Sequence, residues 1–212
     1  MKYLTFLLIS GLMVPPGVQA HEAHPENPAA TATVPAPKLQ ATLRTLWHGH
    51  VEKTREYALA VKAGDGKRSD AATNAVVANA KQLANAVGGF YGAAAGERML
   101  SLLAGHWGAV KAMTDAEHAG NRAAMNAAMS TLMQNAGEIA VFLSGANPYL
   151  PQDAVRGLLV AHGAHHAAQI GQVMRGDRKS EANTWTAMQK HMDVIADAMA
   201  GALARQFPQK VS

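Results

Sequence analysis

The 212-residue sequence contains no cysteine, and this absence excludes several kinds of site at once. Without thiols the chain cannot form disulfides, hold a metal through thiolates or carry a lipid on a cysteine. A soft metal ligand would have to come from the 11 methionines or the 10 histidines. Copper accepts both types of ligand, although methionine is also a common filler of apolar cores.

Charge is also scarce, since only 16% of the residues are Asp, Glu, Lys or Arg. The formal net charge of +4 is spread along the chain without a basic run, which argues against nucleic acid as a partner. The sequence has no G-x-S-x-G elbow, phosphate-binding P-loop, dinucleotide-binding glycine pattern or paired-carboxylate motif. These absences favour a protein that is not an enzyme.

The first 20 residues have the pattern of a cleavable signal peptide, with Lys2, an apolar run over 3–14 and a cleavage point after Ala20. That run is shorter than the roughly 20 apolar residues of a membrane-spanning helix. We therefore expect export to the periplasm and no membrane span in the mature chain. Residues 21–37 are rich in proline, alanine and threonine and predict a disordered leader.

A step of 56 residues relates three segments of the remaining chain. It separates three histidines, the leucines that precede them, three turn glycines and an Asn/Asn/His column at 79, 135 and 191. Each segment has the pattern of a helix, a Gly-Asp or Gly-Asn turn and a second helix. The sequence thus predicts an all-α fold in which three tandem helical hairpins, 38–92, 93–150 and 151–208, form one six-helix bundle over 38–208.

Glycine and proline set the predicted helix boundaries. Gly88, Gly89 and Gly92 indicate a loop between the first two hairpins, and Pro148 and Pro151 indicate a loop before the third. The predicted helices cover 38–62, 70–87, 94–117, 121–143, 152–174 and 181–205.

The repeated histidines are His50, His106 and His162, and each lies on the apolar stripe of the first helix of its hairpin. We therefore expect their side chains to face the interior. Equal distances from the turn place them level with the Asn/Asn/His column on the second helix. In the structural interpretation, His50 and His106 each hydrogen-bond the asparagine opposite and so fix the register of the first two hairpins.

The third hairpin departs from this pattern in the direction of metal binding. His162 and His166 are one helical turn apart, and His191 stands where the other hairpins have asparagine. These three imidazoles are the principal predicted ligands, with copper preferred over zinc or nickel. If the hairpins close around a common axis, His50 and His106 approach the same centre.

Several motifs carry a resemblance to known proteins: LWHGHVEKTR at 46–55, FYG at 90–92, LLAGH at 102–106, NAGEIAVFLSGANPYL at 135–150 and RQFP at 205–208. With these motifs the chain resembles a bacterial family of exported helical-bundle proteins, some of whose members are labelled glycosyltransferases. The resemblance implies His50, His106 and His162 as common positions. The sequence has no acidic metal motif that would support the transferase label. HHAAQIGQVM at 165–174 is similar to the double-histidine helices of small periplasmic copper-binding bundles.

Two functions remain open from the sequence. The first is a periplasmic metal-binding bundle for metal homeostasis or resistance. The alternative is a helical adaptor or envelope protein that binds another protein or an apolar ligand, with histidines that only stabilise the fold.

Overall fold

The computed structural model describes residues 35–211, which are helical apart from short connections. Six long helices pack antiparallel to their chain neighbours and a one-turn helix follows: α1 (Pro37–Ala63), α2 (Gly66–Tyr91), α3 (Ala93–His118), α4 (Arg122–Ala146), α5 (Gln152–Arg175), α6 (Arg178–Gln206) and α7 (Pro208–Val211). The predicted all-α fold is confirmed, and each long helix begins and ends within four residues of its predicted bounds. The predicted signal peptide, and the leader up to residue 34, lie outside the described residues. None of the described helices has the length and hydropathy needed to cross a membrane.

The turns within the hairpins form as the Gly-Asp and Gly-Asn pairs predict. Their glycines are left-handed, with φ of 68° at Gly64, 67° at Gly120 and 73° at Gly176. The polar residue that follows each glycine caps the next helix, because its side chain accepts a hydrogen bond from a backbone N–H three residues later. The start of the second helix in each hairpin is therefore fixed by local sequence.

The glycines predicted to form a loop after the second helix have a different role. Gly88 and Gly89 lie inside α2, which continues to Tyr91 and ends at Gly92 with φ of 94°. A Cβ atom added to Gly96 on α3 would lie 3.2 Å from the Gly88 Cα atom. The missing side chains thus let α2 and α3 approach closely, which explains why the helix continues through glycines that local propensity disfavours.

The six long helices close into a ring. Each packs against the helices before and after it in the chain, and α6 returns to contact α1. In addition α1, α3 and α5 contact one another across the interior. This arrangement meets the condition under which the histidines of all three hairpins can approach a common centre. The 56-residue repeat itself remains an interpretation of the sequence.

Charged pairs reinforce the contact that closes the ring between α1 and α6. The Arg44 guanidinium donates two hydrogen bonds to Asp197, at 2.8 and 2.6 Å. Arg55 does the same to Glu181, at 2.6 and 2.9 Å. Bidentate pairs of this kind fix orientation as well as distance. These pairs fix the position of α1, and so of His50, relative to α6.

The interior consists of two apolar clusters. The larger core includes Leu43 of α1, Leu102 of α3 and Leu159 of α5. The smaller core, nearer the hairpin turns, includes Val110 of α3 and Ile170 of α5. Between these positions on each of the three inner helices lies a buried histidine. A layer of imidazoles therefore lies where the two apolar cores meet.

Candidate metal centre

Four histidines converge in this layer. His50 comes from α1, His106 from α3, and His162 and His166 from successive turns of α5. Each offers one ring nitrogen, and these four nitrogens all lie within 4.8 Å of one another. Three helices that are distant in sequence thus bring four potential metal ligands to one point.

The spacing between the rings suits a single metal ion. The two rings on α5 are closest, with 3.0 Å between their Nε2 atoms. Between helices, ring centroids are 5.4 to 6.0 Å apart. Four nitrogens bound tetrahedrally at about 2.0–2.1 Å from an ion would lie about 3.3 Å from each other. The widest pair would need to close by about 1.5 Å on binding, a change within the range of side-chain rotation.

Burial keeps all four imidazoles neutral. Their exposed fractions are 3% for His50, 4% for His106, and 1% each for His162 and His166. Loss of solvation lowers the pKa of His50 to about 3, with further lowering from His106 and Lys53. Burial lowers the pKa of His106 to about 4, against a smaller opposite effect of Asn135.

Burial also holds the pKa of His162 and of His166 well below the ordinary value, and neighbouring histidines lower both further. At neutral pH none of the four rings is protonated to the positively charged imidazolium form, which would repel a cation. Each neutral ring keeps one nitrogen lone pair for a metal.

Most of the ring nitrogens in this cluster lack a hydrogen-bond partner. Both nitrogens of His50 and of His106, and the Nδ1 atoms of His162 and His166, are buried and unpaired. Leaving one buried polar group unsatisfied costs about 1–3 kcal/mol, so six in one place would be expensive without a compensating ligand. A metal ion would satisfy one nitrogen of His50 and one of His106, and on His162 and His166 it would bind either Nδ1 or the Nε2 atoms that now pair with each other. The donor set therefore fits a metal.

The Asn/Asn/His column binds backbone rather than the histidine rings. Asn79 donates to the Leu46 carbonyl at 3.0 Å, and Asn135 donates to the Leu102 carbonyl at 3.0 Å. Both carbonyls lie one helical turn before the repeated histidine. The amide nitrogens thus bond to the neighbouring helix instead of to the rings. The expected His–Asn interaction persists as the effect of Asn135 on the pKa of His106, and it does not pair the nitrogens of His50.

His191 makes the same contact as the two asparagines. Its Nε2 atom lies 2.9 Å from the Leu158 carbonyl, and the partners are again 33 positions apart in the sequence. This residue was among the principal predicted ligands, but it lies outside the buried group of four, with its ring centroid 6.5 Å from that of His162. The centre instead takes in His50 and His106, which the sequence predicted only if the hairpins closed.

A neighbouring position in the sequence differs between the hairpins together with position 191. Gly49 and Gly105 face the two asparagines, and a Cβ atom there would lie only 3.2 and 3.1 Å from the amide nitrogens. The corresponding residue of the third hairpin is Ala161. The third hairpin thus has alanine and histidine where the other two have glycine and asparagine. In all three hairpins the residue of the column contacts the backbone of the neighbouring helix.

An apolar pocket of about 30 Å³ adjoins the cluster. Its lining includes His50, His106 and His162 together with Trp47 and aliphatic side chains from α3 to α6. The indole Nε1 of Trp47 is buried without a hydrogen-bond partner. Sequence reasoning did not single out Trp47, although its place three residues before His50 puts both on one helical face. The pocket keeps the surroundings of the imidazoles apolar and so favours their neutral form.

No family model, curated protein or solved structure matches this chain. Within residues 35–211, the cluster of four histidines is the group whose ligand atoms converge closely enough to hold an ion.

Proposed function

We propose that this protein is a periplasmic metal-binding bundle that holds copper at the four-histidine centre and serves metal homeostasis or resistance. One observation carries the proposal: four buried, neutral imidazoles from three helices converge with most of their ring nitrogens unpaired. Histidines that only stabilised the fold would be expected to have hydrogen-bond partners. The lack of hydrogen-bond partners in this cluster favours metal binding over an adaptor protein whose histidines only stabilise the fold.

The charge of the donor set favours copper in its cuprous state. Within the described residues, the converging group contains imidazoles and no carboxylate. The desolvation free energy of burying an ion grows with the square of its charge, so it is about four times smaller for a monovalent ion than for a divalent one. Imidazole is a suitable ligand for copper. A singly charged copper ion therefore fits this neutral, apolar site better than divalent zinc or nickel.

The number of ligands supports a binding role rather than catalysis. Catalytic metal sites usually keep three protein ligands and an open position for water or substrate, whereas structural sites have four. Here four imidazoles would complete the coordination of a tetrahedral ion. The cysteine-free sequence and the predicted signal peptide support a periplasmic location, where a protein of this kind would sequester the metal.

Titration with cuprous ion in competition with a chromophoric chelator tests the proposal. We expect one ion per chain, bound more tightly than divalent zinc. Loss of a residue that merely supports a metal ligand costs about 10–100-fold in affinity, so removing two direct ligands in His50→Leu/His106→Leu should cost more than about 100-fold. His118→Asn, at an exposed histidine, is the matched control and should leave the affinity unchanged. Equal affinity in the parent and the double variant would overturn the four-histidine site.

The apolar pocket supports a second candidate function, the binding of an apolar ligand. Ala198 lines this pocket and is itself exposed, so it lies where the pocket meets solvent. A cavity of this size admits only a small apolar probe, so xenon, followed by its ¹²⁹Xe chemical shift, should bind the parent, and Ala198→Trp should block it. Ala164→Trp, at an exposed position of α5 outside the pocket lining, is the control. Equal xenon binding by all three proteins, or no binding by the parent, would exclude this function.

A further inference from the structure

Two more histidines lie beside the buried cluster and are only half-buried. His165 follows His162 on α5 by three residues, and His191 projects from α6. Their ring centroids are 5.3 Å apart. Neither belongs to the group of four that forms the centre, so the proposed function leaves them without a role in metal binding.

The hydrogen bond of His191 determines which of its nitrogens is free. Nε2 lies 2.9 Å from the Leu158 carbonyl, which can only accept a hydrogen bond, so Nε2 carries the proton. In the neutral ring Nδ1 then has the lone pair. Metal-binding histidines commonly donate their other N–H to a backbone carbonyl, which fixes the tautomer and the orientation of the ring. Nδ1 is therefore the nitrogen of His191 whose lone pair a metal would bind.

The distances connect this pair to the buried centre. Two imidazoles bound to one tetrahedral ion would have centroids about 5 Å apart, close to the 5.3 Å between His165 and His191. The next step inward, from His191 to His162, is 6.5 Å with nearly parallel rings. The step from His162 to His166 is 4.4 Å. Imidazoles thus follow one another at short intervals from the half-exposed pair to the centre.

We propose that His165 and His191 form a capture site that binds the metal ion at the surface and passes it to His162. The inference rests on the proposed function, since it requires that the buried centre bind an ion. A buried site with apolar surroundings is slow to load, because an ion must lose its water before it enters. A half-exposed pair of imidazoles replaces part of that water at the surface and places the ion one ring away from the centre.

The other two hairpins supply a variant that removes the imidazole of His191 and keeps its structural contact. Ala161→Gly/His191→Asn recreates the glycine and asparagine of the first two hairpins, where the amide makes the same bond to the backbone. Adding His165→Asn removes the second ring of the pair. His118→Asn is the control for loss of an exposed histidine outside the site.

The experiment compares the rate of loading with the affinity at equilibrium. Cuprous ion, supplied as its acetonitrile complex, is mixed rapidly with each protein, and loading is followed by quenching of tryptophan fluorescence. Of the three tryptophans, Trp47 has its ring 6.0 Å from that of His50. We expect the triple variant to load at least about tenfold more slowly, while its affinity stays within about threefold of the parent.

The possible outcomes separate this inference from the proposed function. Unchanged loading in the triple variant would overturn the capture site and leave the buried centre intact. A large loss of affinity in the triple variant would also overturn it, because His191 would then belong to the centre. Absence of binding by the parent protein would overturn both proposals.

Discussion

Acidification should destabilise the metal-free protein through the buried histidines. An imidazole whose pKa is lower in the folded state than in the unfolded state binds its proton preferentially after unfolding. Its contribution to stability is therefore complete above the unfolded-state pKa of about 6.5 and is lost as the pH falls below that value. For His50 the loss continues down to about pH 3, and for His106 down to about pH 4.

The magnitude follows from these values. At about pH 5 the unfolded imidazoles are almost fully protonated, while folded His50 and His106 remain neutral. Each histidine then costs about 2 kcal/mol of unfolding free energy relative to neutral pH, or about 4 kcal/mol for the two. His162 and His166 add to the loss in the same direction. A loss of this size is a large part of the roughly 5–15 kcal/mol that stabilises a typical domain.

Urea unfolding monitored by far-ultraviolet circular dichroism, with a chelator present, measures this effect. The parent should lose at least about 4 kcal/mol between about pH 7.5 and pH 5. His50→Leu/His106→Leu should reduce that loss by about 4 kcal/mol, whereas His118→Asn should not. A parent protein whose stability is unchanged over this range would refute the conclusion that the cluster is buried and neutral.

Two further predictions concern the packing that positions the site. Asn135→Ala should cost about 1–2 kcal/mol in urea unfolding, because it removes the buried hydrogen bond to the Leu102 carbonyl; no measurable change would show that this bond does not stabilise the hairpin. Gly96→Ala should cost about 1–3 kcal/mol, because its Cβ would crowd Gly88, whereas Gly89→Ala, in open space on the same helix pair, should be neutral or stabilising. Equal effects of the two glycine substitutions would contradict the close approach of α2 and α3.

The helices could be predicted because their signals are local. Gly64 and Asp65, for example, contain the information that ends one helix and caps the next within two residues. Gly88 led to a wrong prediction of a loop because local propensity was the only signal used. Its contact with Gly96 lies between two different helices, and helix propensity does not take such a contact into account.

The composition of the centre could be predicted only in part. The apolar stripe correctly placed His50, His106 and His162 in the interior, because helical periodicity alone decides which face is buried. Their convergence depends on the mutual contacts of α1, α3 and α5, which no periodicity specifies. Only the structure shows that the six helices close into a ring and how far apart the three imidazoles then lie.

His191 was predicted as a ligand from its residue type within the Asn/Asn/His column, and that information was not sufficient. A histidine in an asparagine column has the chemistry of a ligand, but its neighbours decide what it contacts. His191 contacts the Leu158 carbonyl, as Asn79 and Asn135 contact the carbonyls of Leu46 and Leu102. The residue type at 191 therefore suggests a ligand, whereas the position in the repeat indicates a contact with the backbone.

X-ray absorption spectroscopy of the copper-loaded protein tests the central claim most directly. Coordination by the four-histidine centre should give a shell of three or four nitrogen neighbours at about 2.0 Å with the multiple scattering typical of imidazole. His50→Leu/His106→Leu should reduce that shell by two nitrogens or prevent loading. A shell of oxygen or sulfur neighbours, or a nitrogen shell that the double substitution leaves unchanged, would contradict the assignment of these histidines as the metal centre.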